Sequence, residues 1–336
     1  MKDLEIKPYE SSYWEQAASL FASSFGHSWS LEHWQWKYGG NPWGTGRIMT
    51  AWEKGRMVGY YGAYPVEILD GGHSIKALHI GDVMTAPDAR KKGIGKRSVI
   101  ARLATAFYKV MCHDVAFNYG CPSSKHMRLG RLLLDYHDLG PVEAWSCPLE
   151  ALEQANNRRS LLSLFGISKK CSKDDVEEVE GPGLDWEKLF NQVHAKYGML
   201  IRRDLAYLRW RYSLIPSKKY RFFRVRKLGN TLLWAVLEKQ KENLALGDFM
   251  LDPAHPDCLF ALFSYIRASW PEKKTFSLWG GDSPSWLTAF YKKAGLKKEK
   301  HPLNIQLATT IFDESNYPPE LIQAKRYYSM ADFDLF

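Results

Sequence analysis

The chain has 336 residues, 45% of them hydrophobic, with 46 Lys and Arg against 37 Asp and Glu, a net charge of +9. That length and apolar content allow two units with sizeable cores, and the positive balance suits an anionic ligand, a nucleic acid or a membrane surface without choosing among them. Five scattered cysteines without a Cys-x-x-Cys pair argue against a disulfide framework or a zinc site. The start has no apolar leader and no apolar run approaches a membrane span, so the expected setting is cytoplasmic.

Ser12-Tyr-Trp-Glu15 reads as a capping box, and Trp14, Ala17, Ala18, Phe21 and Phe25 follow at helical spacing. Residues 48–52 and 57–69 read as strands joined by a turn at Glu53 to Arg56. Asp70-Gly71-Gly72 closes a second hairpin into a strand at 74–84. A helix is expected from about Gly95, with Val99, Ile100, Leu103, Ala104 and Phe107 on one face. A strand at Val115 to Tyr119, a helix from about Ser124 to Asp138 and a strand at Val142 to Ser146 follow. The charged run Lys169 to Glu180 and Gly181-Pro182-Gly183 then read as a linker with a helix on either side.

Three motifs recur in order. Trp36-Lys-Tyr38 with Pro42 returns as Trp210-Arg-Tyr212 with Pro216. Gly81-Asp-Val-Met84 with Pro87 returns as Gly247-Asp-Phe-Met250 with Pro253, and Tyr136 with Gly140 as Tyr291 with Gly295. The pattern predicts two copies of one α/β unit, at 1–150 and 201–336, joined by 151–200. The copies are unequal. Pro87 is followed by Asp-Ala-Arg-Lys-Lys-Gly-Ile-Gly, whereas Pro253 is followed by Ala-His-Pro-Asp-Cys-Leu-Phe. Only the first copy carries a basic, glycine-containing loop between a strand and a helix. Glycines let backbone N–H groups approach a pyrophosphate, the helix N-terminus favours negative charge, and Arg90, Lys91, Lys92 and Lys96 add full charges. The loop is neither a Walker loop nor a dinucleotide fingerprint, whose third glycine is missing.

Arg90-Lys-Lys-Gly93-Ile-Gly95 resembles the [RQ]-x-x-G-x-[GA] signature of the GNAT (Gcn5-related N-acetyltransferase) superfamily. Val83-Met-Thr-Ala-Pro87 is similar to its lead-in, and Tyr136-His-Asp-Leu-Gly140 to its late Y-x-x-x-G, with Pro141 where Phe is usual. The specific match covers roughly 77–145. Arg203 to Tyr212 is similar to a bacterial subgroup of tandem members associated with surface polysaccharides. The resemblance implies an α/β (α+β) fold of two GNAT-like units, each a mixed, mostly antiparallel sheet flanked by helices. It implies an acyl-CoA-dependent N-acyltransferase, with acetyl-CoA as co-substrate and a primary amine, such as an amino sugar or another small amine, as acceptor.

The resemblance further implies that backbone groups of Val83, Met84 and Thr85 pair with the pantetheine arm. Amides of Lys91, Lys92, Gly93, Ile94, Gly95 and Lys96 would hold the pyrophosphate, and Tyr136 would protonate the leaving thiolate. A core role for Tyr136 is the alternative. His79, eleven residues before Arg90 where some members place a catalytic Glu, is the candidate base. Its counterpart in the second copy is Ala245. Asp82 is the rival, although Asp248 repeats it. Asn118 is a weaker contact candidate. No metal is implied. A degenerate acyl-CoA-binding protein without turnover and a nucleic-acid-binding protein are the competing functions, and no nucleic-acid motif supports the latter. Trp34, Trp36, Tyr38 and Trp43 suit either a sugar platform or the packing between copies. Oligomeric state is not readable.

Overall fold

The computed structural model describes residues 4–152 and 171–336 apart from Lys92, Ile94, Ser217, Pro302 and Leu335. The calls on Lys92 and Ile94, and the 153–170 part of the expected linker, therefore lie outside the described residues, as does the Lys91 side chain.

The first unit opens with β1 (Leu4–Pro8) and α1 (Trp14–Phe25), which buries Ala17, Leu20 and Phe21. The expected capping box does not form: a 3₁₀ turn over Ser11–Tyr13 runs straight into α1, and no side chain caps it. Ser12 is thus inside a helical turn, not at the extended entry a cap requires. After α2 (Leu31–Trp34) and a π turn (Gln35–Gly39) come three antiparallel strands, β2 (Arg47–Glu53), β3 (Arg56–Asp70) and β4 (His73–Thr85). Then follow α3 (Val99–Met111), β5 (Phe117–Gly120), α4 (Ser124–Leu133), β6 (His137–Pro141) and β7 (Glu143–Pro148). Helix α4 stops at Leu133, short of the expected Asp138. Asp135 adopts the left-handed φ of 52° and turns the chain back, so the Tyr136 ring lies over Gly130, where a Cβ would come within 2.1 Å of it.

The second unit comprises β8 (Val176–Val179), α5 (Leu184–Val193), β9 (Met199–Ile201), α6 (Leu205–Leu208) with a π turn (Arg209–Ser213), and β10 (Arg221–Lys227). It continues with β11 (Asn230–Lys239), β12 (Asn243–Leu251), α7 (Asp257–Ser269), β13 (Thr275–Trp279) and α8 (Ser285–Lys293). Strands β14 (Lys297–Lys300) and β15 (Gln306–Ile311) and helix α9 (Pro319–Lys325) end the succession.

Two mixed sheets result, with strand orders β1-β2-β3-β4-β5-β15-β6 and β8-β10-β11-β12-β13-β7-β14, and β9 adds to β3. The orders correspond strand for strand and differ in origin at one place. Strand β15 from the second unit sits between β5 and β6, and β7 from the first sits between β13 and β14. Each unit therefore lends a strand to the other. The recurrent motifs fall at matching places. Irregular register falls at Gly81-Asp82 in β4 and at Gly247 in β12, each a β-bulge. Tyr38 Oη donates to Asp82 at 2.6 Å, and Tyr212 Oη to Asp248 at 2.6 Å.

The junction is built by the same motifs. Trp36 and Trp210 stack with ring centroids 5.0 Å apart. Trp36 Nε1 donates to the Trp210 carbonyl at 2.7 Å, and Trp210 Nε1 to the Trp36 carbonyl at 2.8 Å. Such reciprocity is the signature of a two-fold relation. Trp43 stacks on Tyr207 at 4.7 Å, so both tryptophans pack between the units.

Candidate active site

Strand β4 delivers the basic loop. Arg90 Nε donates to the Thr85 carbonyl at 2.8 Å, which ties the loop to the strand end. Short 3₁₀ turns at Ala89–Lys91 and Gly95–Arg97 flank Gly93, whose φ is 77°. Gly95 also has positive φ, 59°, with open space where a side chain would stand. Both conformations favour glycine. Ser98 caps α3, accepting from Ala101 N. Arg90, Lys96 and Arg97 are exposed.

The same strand parts from its neighbour. β5 pairs in parallel with β4 only at Ala77–His79, yet β4 runs on to Thr85. Val83, Met84 and Thr85 pair with β3 on one side; on the other they have no strand partner among the described residues. The bulge at Gly81-Asp82 lies where the strands separate, as expected of a device that adds twist.

A cavity of about 300 Å³ opens beside this gap, lined in part by Ile80, Gly81, Val83, Asn118, Gly120 and Tyr136. Tyr136 Oη lies 3.2 Å from His126 Nε2 and 3.3 Å from Tyr61 Oη. Tyr61 Oη is 3.1 Å from Tyr108 Oη, which is 3.5 Å from Thr310 Oγ1. The hydroxyls thus form a chain from the cavity wall into the sheet. Burial raises the Tyr136 and Tyr61 phenols and lowers the His126 imidazole, so Tyr136 is protonated and His126 neutral at neutral pH. His126 also lines the cavity. Nothing in its spacing announces it; only the chain reversal at Asp135 brings it against Tyr136.

Of the three catalytic candidates, Tyr136 alone lines this cavity. His79 is 3% exposed, and its ring stacks on Tyr119 at 4.8 Å. His79 Nδ1 is hydrogen-bonded to Tyr64 Oη, which donates its proton to Asp334 Oδ1 at 2.8 Å. His79 Nδ1 is therefore the donor to Tyr64, leaving the lone pair on Nε2. Burial pulls His79 down to about 4, with Asp334 opposing and Lys37 assisting. Asp82 Oδ2 is taken by Tyr38 and by Lys37, the latter at 2.8 Å. Lys37 also reaches Asp334 at 2.6 Å. Burial acts to raise Asp334, but Lys37 and His79 hold it below the usual carboxylate range. Asp334 was not legible as a member of this network, because it lies far from His79 in sequence and in no motif.

The scattered cysteines are also partly gathered. Cys171, Asp257 and Cys258 place ligand atoms within 4.8 Å of one another, although Asp257 already accepts the Cys171 N–H at 2.5 Å. No helix of the described residues is long and apolar enough to cross a membrane.

Each unit is an α/β meander whose long strand bulges at a Gly-Asp motif, and only in the first does that strand lead into a glycine-containing basic loop. Residues 5–127 match the model of the acetyltransferase (GNAT) domain family. Solved structures share the fold over nearly the whole chain. A conserved protein from Enterococcus faecalis V583, described as a probable N-acyltransferase, is 12% identical with a TM-score of 0.69, covering 92% of this chain and 73% of that one. A GCN5-related N-acetyltransferase from Anabaena variabilis is 12% identical with a TM-score of 0.67, covering 92% and 72%. Saccharomyces cerevisiae N-myristoyltransferase with bound myristoyl-CoA is 12% identical with a TM-score of 0.56, covering 93% and 83%. No curated protein matches the sequence.

Proposed function

We propose that the protein is an acyl-CoA-dependent N-acyltransferase, with acetyl-CoA as donor and a primary amine as acceptor. The observation that carries this reading is the stretch Ile80–Thr85, which loses its β5 neighbour and leads directly into the basic loop beside the Tyr136 cavity. In this reading the open edges of Val83, Met84 and Thr85 pair with the pantetheine arm. Amides from Lys91 to Lys96 surround the pyrophosphate, and Arg90, Lys91, Lys92 and Lys96 balance its charge.

The amine attacks the thioester carbonyl carbon, the C–S bond breaks, and Tyr136 gives its proton to the departing thiolate. The hydroxyl chain through Tyr61 and Tyr108 resupplies that proton. His126, neutral and on the cavity wall, takes the proton released by the amine. His79 is shut behind Tyr119 and Tyr64, so we assign it and Asp82 to positioning the bulged strand. The second unit lacks the basic loop and serves as support.

The test is calorimetric titration of acetyl-CoA against the wild type and Gly93→Glu. The substitution puts a side chain and a negative charge where φ is 77° and phosphate is expected. Micromolar binding abolished by the substitution supports the reading, and absence of binding to the wild type refutes it.

A further inference from the structure

Folding brings together two cysteines that lie far apart in the sequence and away from the Tyr136 cavity. Cys171 precedes β8, and Cys258 is the second residue of α7. Their sulfur atoms and a carboxylate oxygen of Asp257 all lie within 4.8 Å of one another. The placement is fixed from both sides. Asp257 accepts the Cys171 N–H at 2.5 Å, which ties Cys171 to the first turn of α7. Directly after it, Ser172 and Asp175 form a capping box on the turn Lys173–Asp175, with Ser172 N donating to Asp175 at 2.7 Å. Both cysteines are free thiols.

The two thiols are unequal. Cys258 is fully buried, whereas Cys171 is partly exposed. Burial pushes both up, but a hydrogen bond from the Cys258 thiol opposes the rise at Cys171 and adds to it at Cys258. Asp257 raises both, and the Lys227 ammonium favours the thiolate at both. Cys171 is therefore the thiol that ionises first and that a reagent reaches, and Cys258 stands behind it. The Lys227 charge, and the commitment of Asp257 to the Cys171 N–H, work against a metal cation in the same cluster.

We propose that Cys171 and Cys258 are a redox-active pair that closes to a disulfide by exchange with a small-molecule disulfide. The Cys171 thiolate attacks one sulfur of the reagent RSSR, whose S–S bond breaks; Cys171–S–S–R forms and RS⁻ leaves. Cys258 then gives up its proton and attacks the Cys171 sulfur, expelling the second RS⁻. Two protein thiols are oxidised, one RSSR is reduced to two RSH, and the two thiol protons end on them. The bond joins the entry of β8 to α7. β8 ends its sheet with β10 as its one strand neighbour among the described residues, and such an edge opens more readily than the sheet centre. The pair thus secures this edge when oxidised and releases it when reduced. The proposal is independent of the acyl-CoA reading, because it concerns the edge of the other sheet.

The experiment is incubation of the folded full chain with bis(2-hydroxyethyl) disulfide, an acid quench, alkylation of the remaining thiols and mass mapping. The expected product has lost two hydrogens, carries no reagent adduct, alkylates at Cys112, Cys121 and Cys147 alone, and contains a peptide cross-linked through Cys171 and Cys258. Dithiothreitol should restore all five thiols. A disulfide that closes a loop this long should raise the melting temperature by about 4–8 °C over the reduced protein. Cys171→Ser and Cys258→Ser should each abolish the cross-link and the rise on oxidation, and if Cys258→Ser fails to fold, Cys171→Ser and the wild-type map decide. A lasting adduct on Cys171, a bond joining other cysteines, five thiols still free at excess reagent, or a cross-link without a rise in melting temperature would overturn the proposal.

Discussion

Replacing Arg203 with Met should be among the most damaging single changes to stability. Arg203 is fully buried and sits between Asp248, 0% exposed, and Asp332, 5% exposed. Its Nε lies 3.1 Å from both Asp248 oxygens, Nη2 lies 2.8 and 2.9 Å from those of Asp332, and Nη1 donates to the Ile201 carbonyl at 2.6 Å. The guanidinium thus fastens β12 and the C-terminal 329–332 segment to the end of β9. Met matches the volume but strands two carboxylates in a dry site. Asp248 keeps Tyr212 Oη and Asp332 keeps Ser329 N, which compensate only in part. Breaking one side of a buried ion pair costs about 3–5 kcal/mol. At about 2 °C per kcal/mol for a chain of this size, the melting temperature should fall by roughly 6–10 °C. Calorimetry on Arg203→Met alone, and together with Asp248→Asn and Asp332→Asn, tests this. The combined variant should regain most of the loss, because no charge is left unpaired. A fall below about 2 °C, or no recovery in the combined variant, would show that the network is not what holds these segments.

Two further outcomes follow from the site. Burial holds His79 at about 4, against 6.5 for the free side chain. As pH falls from 6.5 to 4 the unfolded chain takes up a proton that the folded one refuses, so stability present above 6.5 is lost across that window, by about 3 kcal/mol. His79→Gln should flatten urea-unfolding stability between pH 6.5 and 4, and parallel profiles for variant and wild type would contradict the burial argument. Tyr136→Phe should lower kcat by about 10²–10⁴-fold on any amine that an acceptor screen returns, with acetyl-CoA affinity unchanged. A loss confined to KM would assign Tyr136 to packing.

Local order was legible and long-range order was not. The strands expected at 48–52, 57–69 and 74–84 form at Arg47–Glu53, Arg56–Asp70 and His73–Thr85, because richness in β-branched and aromatic residues and the Asp70-Gly71-Gly72 turn are local properties of the sequence. The paired Trp-x-Tyr motifs were visible, but their mutual stacking depends on a junction that no local pattern encodes. Helix α4 ended early because Asp135 adopts a left-handed conformation that its residue type tolerates without requiring. The basic loop stood out because glycines interrupt a run of charge. His126 and Asp334 did not, since each becomes chemically distinctive only through partners that tertiary structure decides.

The lent strands have a consequence for biosynthesis. Gly120 at the end of β5 pairs with Ala308 of β15, so the sheet holding the basic loop cannot be completed until β15 has left the ribosome. Until then β5 and β6 border an empty slot, with edges open to any strand that offers itself. Pairing over such a separation is slow, and a nascent chain in that state is exposed to misassembly with its neighbours. The basic loop thus gains its finished scaffold only once β15 has been made, and a product truncated after β14 would carry the loop without the sheet that holds it.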